Sequence, residues 1–253
     1  MSGWLELGTT LDAAARRGET IRLWWRDDDA GRTHPALYRL LDLAERHSAP
    51  LALAVVPAWL EPEAQGSIAA ATQVTVLQHG FAHTNHAEAG AKSIELGGRP
   101  VDEIVLELRQ GFSILEDAFG SSFLPVLVPP WNRIDKTLFT RLRLGGYSGL
   151  SVYGQREGLE ASAGVRLVNT HVDPVDWRGT RGFLGEDAVL RRLIDMLDPE
   201  EPIGLLTHHL EMDEIGWTFF DELFTVLGRH PAARLCPAPY LFERVAPRGR
   251  ESV

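Results

Sequence analysis

Short apolar runs alternate with amphipathic helical stretches along this chain, and most of the apolar runs end in residues able to do chemistry. Residues 21–26, 51–56, 74–78, 124–128, 149–152, 165–169 and 203–208 read as strands bounded by turn-forming residues. Residues 36–47, 102–119, 136–144, 187–197 and 219–228 read as helices. In the second, Ile104, Leu108, Phe112, Leu115 and Phe119 recur at helical spacing, with Asp102 placed to cap it and Gly120 to end it. Strands joined by helical crossovers require parallel neighbours, and about seven such units suit an α/β fold of closed or nearly closed barrel type. No linker or internal repeat divides the chain. The expectation is one domain over residues 1–247, with the Arg-rich residues 248–253 as a flexible tail.

The polar residues fall where such a barrel keeps its active site. Asp27-Asp28-Asp29, His79, Pro129-Pro130-Trp131, His171-Val172-Asp173 and His208-His209 all close strand candidates, and the C-terminal ends of the strands form the working face of a β/α barrel. Three adjacent carboxylates behind an apolar run repel one another and call for a cation. His79-x3-His83 follows the third run, and two imidazoles with one carboxylate make a catalytic metal set with positions open to water and substrate. Set against a pair of solvated histidines, the ligand reading gains from the strand before it and the acids beside it. His86 offers a competing pair with His83, but Gly80 permits the tight backbone that favours His79 and His83.

The 253 residues, 44% apolar and 24% charged, are ordinary for a globular protein, and no run approaches the roughly 18–20 apolar residues of a membrane span. The N-terminus lacks a secretory pattern and there is one cysteine, Cys236, so the expected compartment is the cytoplasm. A net charge of −10 argues against nucleic acid as a partner and favours neutral or cationic small molecules.

Taken in order, Asp28-Asp29, His79-x3-His83, Pro129-Pro130-Trp131, Asp173-Pro174-Val175-Asp176-Trp177 and Leu206-Thr207-His208 resemble the five motifs of the polysaccharide deacetylases, carbohydrate esterase family 4. The resemblance implies a distorted (β/α)7 barrel holding one divalent metal ion, zinc first among the candidates, on Asp29, His79 and His83. It implies Asp28 as catalytic base, although a register shifted by one would make Asp27 the base and Asp28 the ligand. It places the Trp131 N–H at the oxyanion, His208 as general acid, and Asp173 and Asp176 as the residues that orient that His and wall the pocket beside Trp177.

One departure stands out. The family's Arg before Pro-Pro-aromatic is Val128 here, and Arg26 or Arg133 is expected to supply the guanidinium to Asp28 instead. Asp27, His86 and His209 are expected beside the site or behind it, with His209 facing away from His208 on an extended strand. Glu211 and Asp213 are expected in solvent. The implied activity is removal of an acyl group, acetyl above all, from an N-acetylated sugar, an oligosaccharide or a related small amide. Two alternatives stay open: hydrolysis of a non-sugar amide C–N bond, and a metal-containing carbohydrate-binding protein without turnover.

Overall fold

The computed structural model describes residues 3–154 and 164–242. The predicted tail, residues 248–253, lies outside the described residues. In chain order the elements are α1 Gly3–Arg16, β1 Ile21–Ala30, α2 Pro35–His47, β2 Leu51–Val55, α3 Pro62–Ala70, β3 Val74–His79, α4 Val101–Phe119, β4 Phe123–Val128 and α5 Phe139–Leu144. There follow β5 Gly149–Leu150, β6 Arg166–Leu167, α6 Glu186–Asp195, β7 Ile203–Thr207, α7 Glu214–Arg229, β8 Ala233–Leu235 and α8 Ala238–Phe242.

Seven parallel strands run in the order β6-β5-β4-β3-β2-β1-β7, and β8 pairs with the first residues of β1. The two ends of that order meet. Beyond β6, Val172 bridges Leu205 of β7, with the His171 N–H donating to Gly204 O at 2.7 Å and the Leu206 N–H to Val172 O at 2.8 Å. The sheet thus curls into a distorted (β/α)7 barrel whose last seam is a single bridge instead of a full ladder.

Period-two alternation sorts the side chains into two layers. Leu23 and Trp25 of β1, Leu51, Leu53 and Val55 of β2, and Ile203 and Leu205 of β7 pack outward against the helices, where Trp25 meets Phe224 of α7 at 4.6 Å. Trp24, Ala52, Ala54, Leu77, Val126 and Val128 pack inward with Leu241 and Phe242 of α8. Small residues on the inner face suit a narrow interior. Each fully buried large side chain contributes about 1.5–3 kcal/mol.

All five predicted helices and all seven predicted strands are present, and α1, α3, α8 and β8 are added to them. Asp102 does not cap α4: the helix starts at Val101 after Pro100 with no side-chain cap. Asp102 lies in the first turn, where its charge meets the positive end of the helix dipole. Asp213 is not simply solvated either, since its carboxylate accepts the Gly216 N–H at 2.8 Å and caps α7.

Candidate active site

β1 is long, and it ends in a bulge. Its register with β2 shifts between Asp27 and Ala30, and Asp29 takes a left-handed backbone with φ 71°. Simple alternation would send Asp29 outward with Asp27. The bulge turns it back, so that Asp28 and Asp29 both line the cleft at the C-terminal face while Asp27 points into the helix layer.

Asp28 is buried and held from its own strand. Arg26, two residues back on the same face, sets Nε 2.8 Å from Oδ1 and donates from Nη2 to Oδ2 at 3.0 Å. The guanidinium is anchored further by Ser151 Oγ at 2.6 Å and Asn132 Oδ1 at 3.0 Å. Val128, in the family's Arg position, lies in the barrel interior, and its carbonyl accepts from His79 Nδ1 at 2.9 Å and the Gly80 N–H at 3.2 Å. Arg133 bonds elsewhere, donating to Ser93 O at 2.8 Å.

Asp29 Oδ1 lies 3.1 Å from His79 Nε2 and 3.1 Å from His83 Nε2. Ligands on one tetrahedral zinc, each at about 2.0–2.1 Å, stand about 3.3 Å apart. The Val128 carbonyl takes the proton on His79 Nδ1 and leaves Nε2 as the lone pair facing the cluster. Asp29 Oδ1 is buried and has no hydrogen-bond donor among the described residues. The three residues fit a divalent cation, and His86 is not among them.

Burial works against ionisation of Asp29, but His79 and His83 override it and hold its carboxyl well below the usual carboxylate range. Burial likewise favours neutral His79, yet the charge of Asp28 and the carboxylate of Asp29 keep its pKa above the ordinary histidine value.

The loop that carries His83 is tightly determined. His83, Trp131 and Asn132 all have φ near the left-handed region, at 55°, 54° and 55°. Gly80 has φ 57°, and a Cβ there would strike Glu95 Oε2 and come within 2.7 Å of Pro130. Glu95, itself buried, accepts the Phe81 and Ala82 N–H groups at 3.2 and 2.7 Å. Trp59 and Trp131 flank the His83 ring at 5.4 and 4.3 Å.

On the opposite wall, His208 enters the cleft and His209 points away. His209 Nδ1 meets Asp27 Oδ1 at 2.6 Å, and Thr207 Oγ1 donates to Asp27 Oδ2 at 2.6 Å while accepting from Trp25 Nε1 at 2.9 Å. Asp27 and His209 are thus a buried pair in the outer layer. The fourth motif differs from expectation. Asp173 Oδ2 accepts Trp177 Nε1 at 2.7 Å and Oδ1 accepts the Val175 N–H at 2.9 Å, and Trp177 stands edge-on to the His208 ring at 4.8 Å. Burial raises the Asp173 pKa, offset in part by the charge of His208.

His208 Nδ1 is buried with no hydrogen-bond partner among the described residues, so neither acid holds it directly. Asp176 spends its carboxylate on the Gly179 and Thr180 N–H groups at 3.1 and 3.2 Å and builds a turn. Glu211, expected in solvent, lines the cleft and pairs with Arg181 at 3.3 Å. Ser151, Asn132, Glu95 and Tyr153 were not anticipated. Ser151 and Tyr153 follow β5, a position that on a β/α barrel marks them as candidates.

The whole cleft measures about 990 Å³. Fold and site together define a (β/α)7 barrel with a two-His, one-Asp set that could hold a cation, a guanidinium-held Asp and a His at one open face. Comparison of the sequence with protein-family models and with curated proteins returns no match. Solved structures do match. The Bc1960 peptidoglycan N-acetylglucosamine deacetylase superposes with a TM-score of 0.59 at 17% identity, covering 88% of each chain. Peptidoglycan deacetylase PdaC from Bacillus subtilis gives a TM-score of 0.54 at 16% identity over 88% of this chain and 90% of that one. A mutant of BA3943, a pseudoenzyme of carbohydrate esterase family 4 with restored enzymatic activity, gives 0.57 at 16% identity over 88% of this chain and 68% of that one. The fold is that of the family 4 deacetylases. No helix among the described residues is long and apolar enough to cross a membrane.

Proposed function

We propose that the chain is a divergent member of carbohydrate esterase family 4 and a metal-dependent hydrolase that removes an acyl group, acetyl above all, from an N-acylated sugar or related small amide. One observation carries the reading: Asp28, the Asp29–His79–His83 set and His208 line a single cleft. A divalent cation on that set, zinc first among the candidates, would supply Lewis-acid chemistry, acidifying water and polarising the acyl oxygen.

The protein's own groups do the rest. Asp28, fixed by Arg26, takes a proton from the attacking water as the C–O bond forms. Trp131, a lining residue with a left-handed backbone, is assigned the developing oxyanion through its N–H. His208 gives a proton to the nitrogen as the C–N bond breaks, so acid and free amine leave. Asp173 acts through charge and through Trp177, which walls the His208 ring. Asp176 contributes the turn.

The reading of a carbohydrate binder without turnover rested on Val128. Arg26 meets Asp28 in its place, and a binder needs no such pairing of base and acid. The test is a panel of N-acetylated sugars and small amides, assayed for acetate release with metal-loaded and metal-free protein. Release that requires metal and is lost in Asp28→Asn is expected. Metal-independent release, or release unchanged in Asp28→Asn, overturns the reading.

A further inference from the structure

The charge of the cleft points to a narrower substrate class. The inference rests on the hydrolase reading above and names what that site takes. Lys92, Arg133, Arg178, Arg181 and Arg192 line the cleft, in a chain whose net charge is −10. Five acids share the lining, and four of them are engaged away from these cations: Asp28 with Arg26, Asp29 with two imidazoles, Asp173 with Trp177 and the Val175 N–H, and Asp176 with backbone N–H groups, while Glu211 pairs with Arg181. Lys92, Arg133, Arg178 and Arg192 have no carboxylate partner among the described residues. These four cations are open to an anionic ligand, which the expectation of a neutral or cationic substrate, drawn from net charge, does not foresee.

Of these cations Arg133 is the most fixed. It is half-buried and follows the kink at Trp131 and Asn132, and its Nη1 is tied to Ser93 O at 2.8 Å. Four of its five N–H groups remain in a planar fork that matches a carboxylate or a phosphate. Lys92 precedes Ser93, so the bond that seats Arg133 also brings a second positive charge to that wall. We propose that the substrate carries an anionic group, carboxylate or phosphate, and that Arg133 with Lys92 reads it.

The test measures binding to metal-loaded Asp28→Asn protein by calorimetry, so that turnover does not intervene. The probes are N-acetylglucosamine, N-acetylglucosamine 6-phosphate and N-acetylmuramic acid, which separate neutral, phosphate and carboxylate forms. At least one anion should bind about tenfold or more tightly than the neutral sugar, and added salt should shrink the difference. Adding Arg133→Gln and Lys92→Gln should cut that affinity about 10- to 100-fold and leave the neutral sugar unchanged. Arg133→Lys should recover part of it, and Lys136→Gln, outside the cleft, none of the loss. Anion binding no tighter than neutral, undetectable binding of both included, overturns the proposal, as does full anion affinity in the double Gln variant. Failure of the hydrolase reading looks different: no acetate release from any compound by the unaltered protein, with the anion preference in binding intact.

Discussion

Arg26 grips Asp28 from two residues away on the same strand, Nε 2.8 Å from Oδ1 and Nη2 3.0 Å from Oδ2. Both side chains are buried, and the pair is self-contained on β1 rather than spanning two strands. Removing one member of such a pair costs about 3–5 kcal/mol, because the other is left charged in a dry site. Arg26→Met should therefore lower the urea midpoint sharply and abolish acyl release. Arg26→Lys keeps the charge without the two-pronged contact. It should fold better than Arg26→Met and still lose most turnover. Equal activity in Arg26→Lys and the unaltered protein would show that the pairing geometry is irrelevant.

Much of this arrangement was legible because apolar runs announce strands and strand ends announce the working face. The seven strands follow from that, as does a pairing of His79 and His83 with a carboxylate of the Asp run; that the carboxylate is Asp29 is what the family resemblance implies. Other parts were not. Strand alternation predicts that Asp28 and Asp29 face opposite ways, and only the bulge at Asp29, φ 71°, reverses this. The anchors of Arg26 are separated from it by 125 residues for Ser151 and 106 for Asn132, beyond the reach of any local period. Asp176 and Asp173 look alike in sequence, yet one folds a turn and the other braces Trp177. Net charge averaged over the chain concealed the five Lys and Arg side chains that line the cleft.

Gly80 should tolerate no side chain. Its φ of 57° is left-handed, and a Cβ would press on Glu95 and Pro130. Gly80→Ala should displace the 80–83 segment and weaken metal binding at least tenfold, an effect equal to about 1.4 kcal/mol. Glu95→Gln retains an acceptor for the Phe81 and Ala82 N–H groups and should do less harm. Metal affinity measured by competition with a chelator checks both. Gly80→Ala with unaltered affinity would contradict this account of the loop.

The pH dependence of stability should differ with and without metal. In the metal-free protein the folded His79 pKa lies above its unfolded value near 6.5, since Asp28 and Asp29 outweigh burial. The folded state then binds more protons in that interval. Its stability from this group is complete below the unfolded pKa and is lost as pH rises through the folded one. Asp29 acts oppositely: its lowered pKa gives stability that is complete above the unfolded carboxylate value and is lost progressively as pH falls from there toward the folded one. Melting temperature of metal-free protein should therefore decline from pH 6 upward through neutrality. Metal displaces the proton, so the loaded protein should melt higher as pH rises over the same range. Parallel curves for the two forms would rule out the His79 assignment.

His208 and His209 adjoin in sequence and should fail in different ways. His208 lines the cleft with no hydrogen bond at Nδ1 among the described residues, so His208→Ala should leave melting temperature and metal content nearly unchanged. Turnover should fall by on the order of 10²–10⁴-fold, the range for loss of a general acid. The loss should be smallest for substrates with good leaving groups, which need no proton. His209 is buried against Asp27 at 2.6 Å. His209→Ala leaves that carboxylate with Thr207 as its remaining side-chain hydrogen-bond donor among the described residues, and should cost about 1–3 kcal/mol of stability. The folded fraction of His209→Ala should keep much of its kcat, because the pair lies behind the cleft. Asp27→Asn with His209→Gln, which replaces the pair by neutral hydrogen-bonding groups, should restore part of the lost stability. A stable His209→Ala protein with no activity, beside an active His208→Ala, would exchange the two roles and refute the assignment of His208 as the acid.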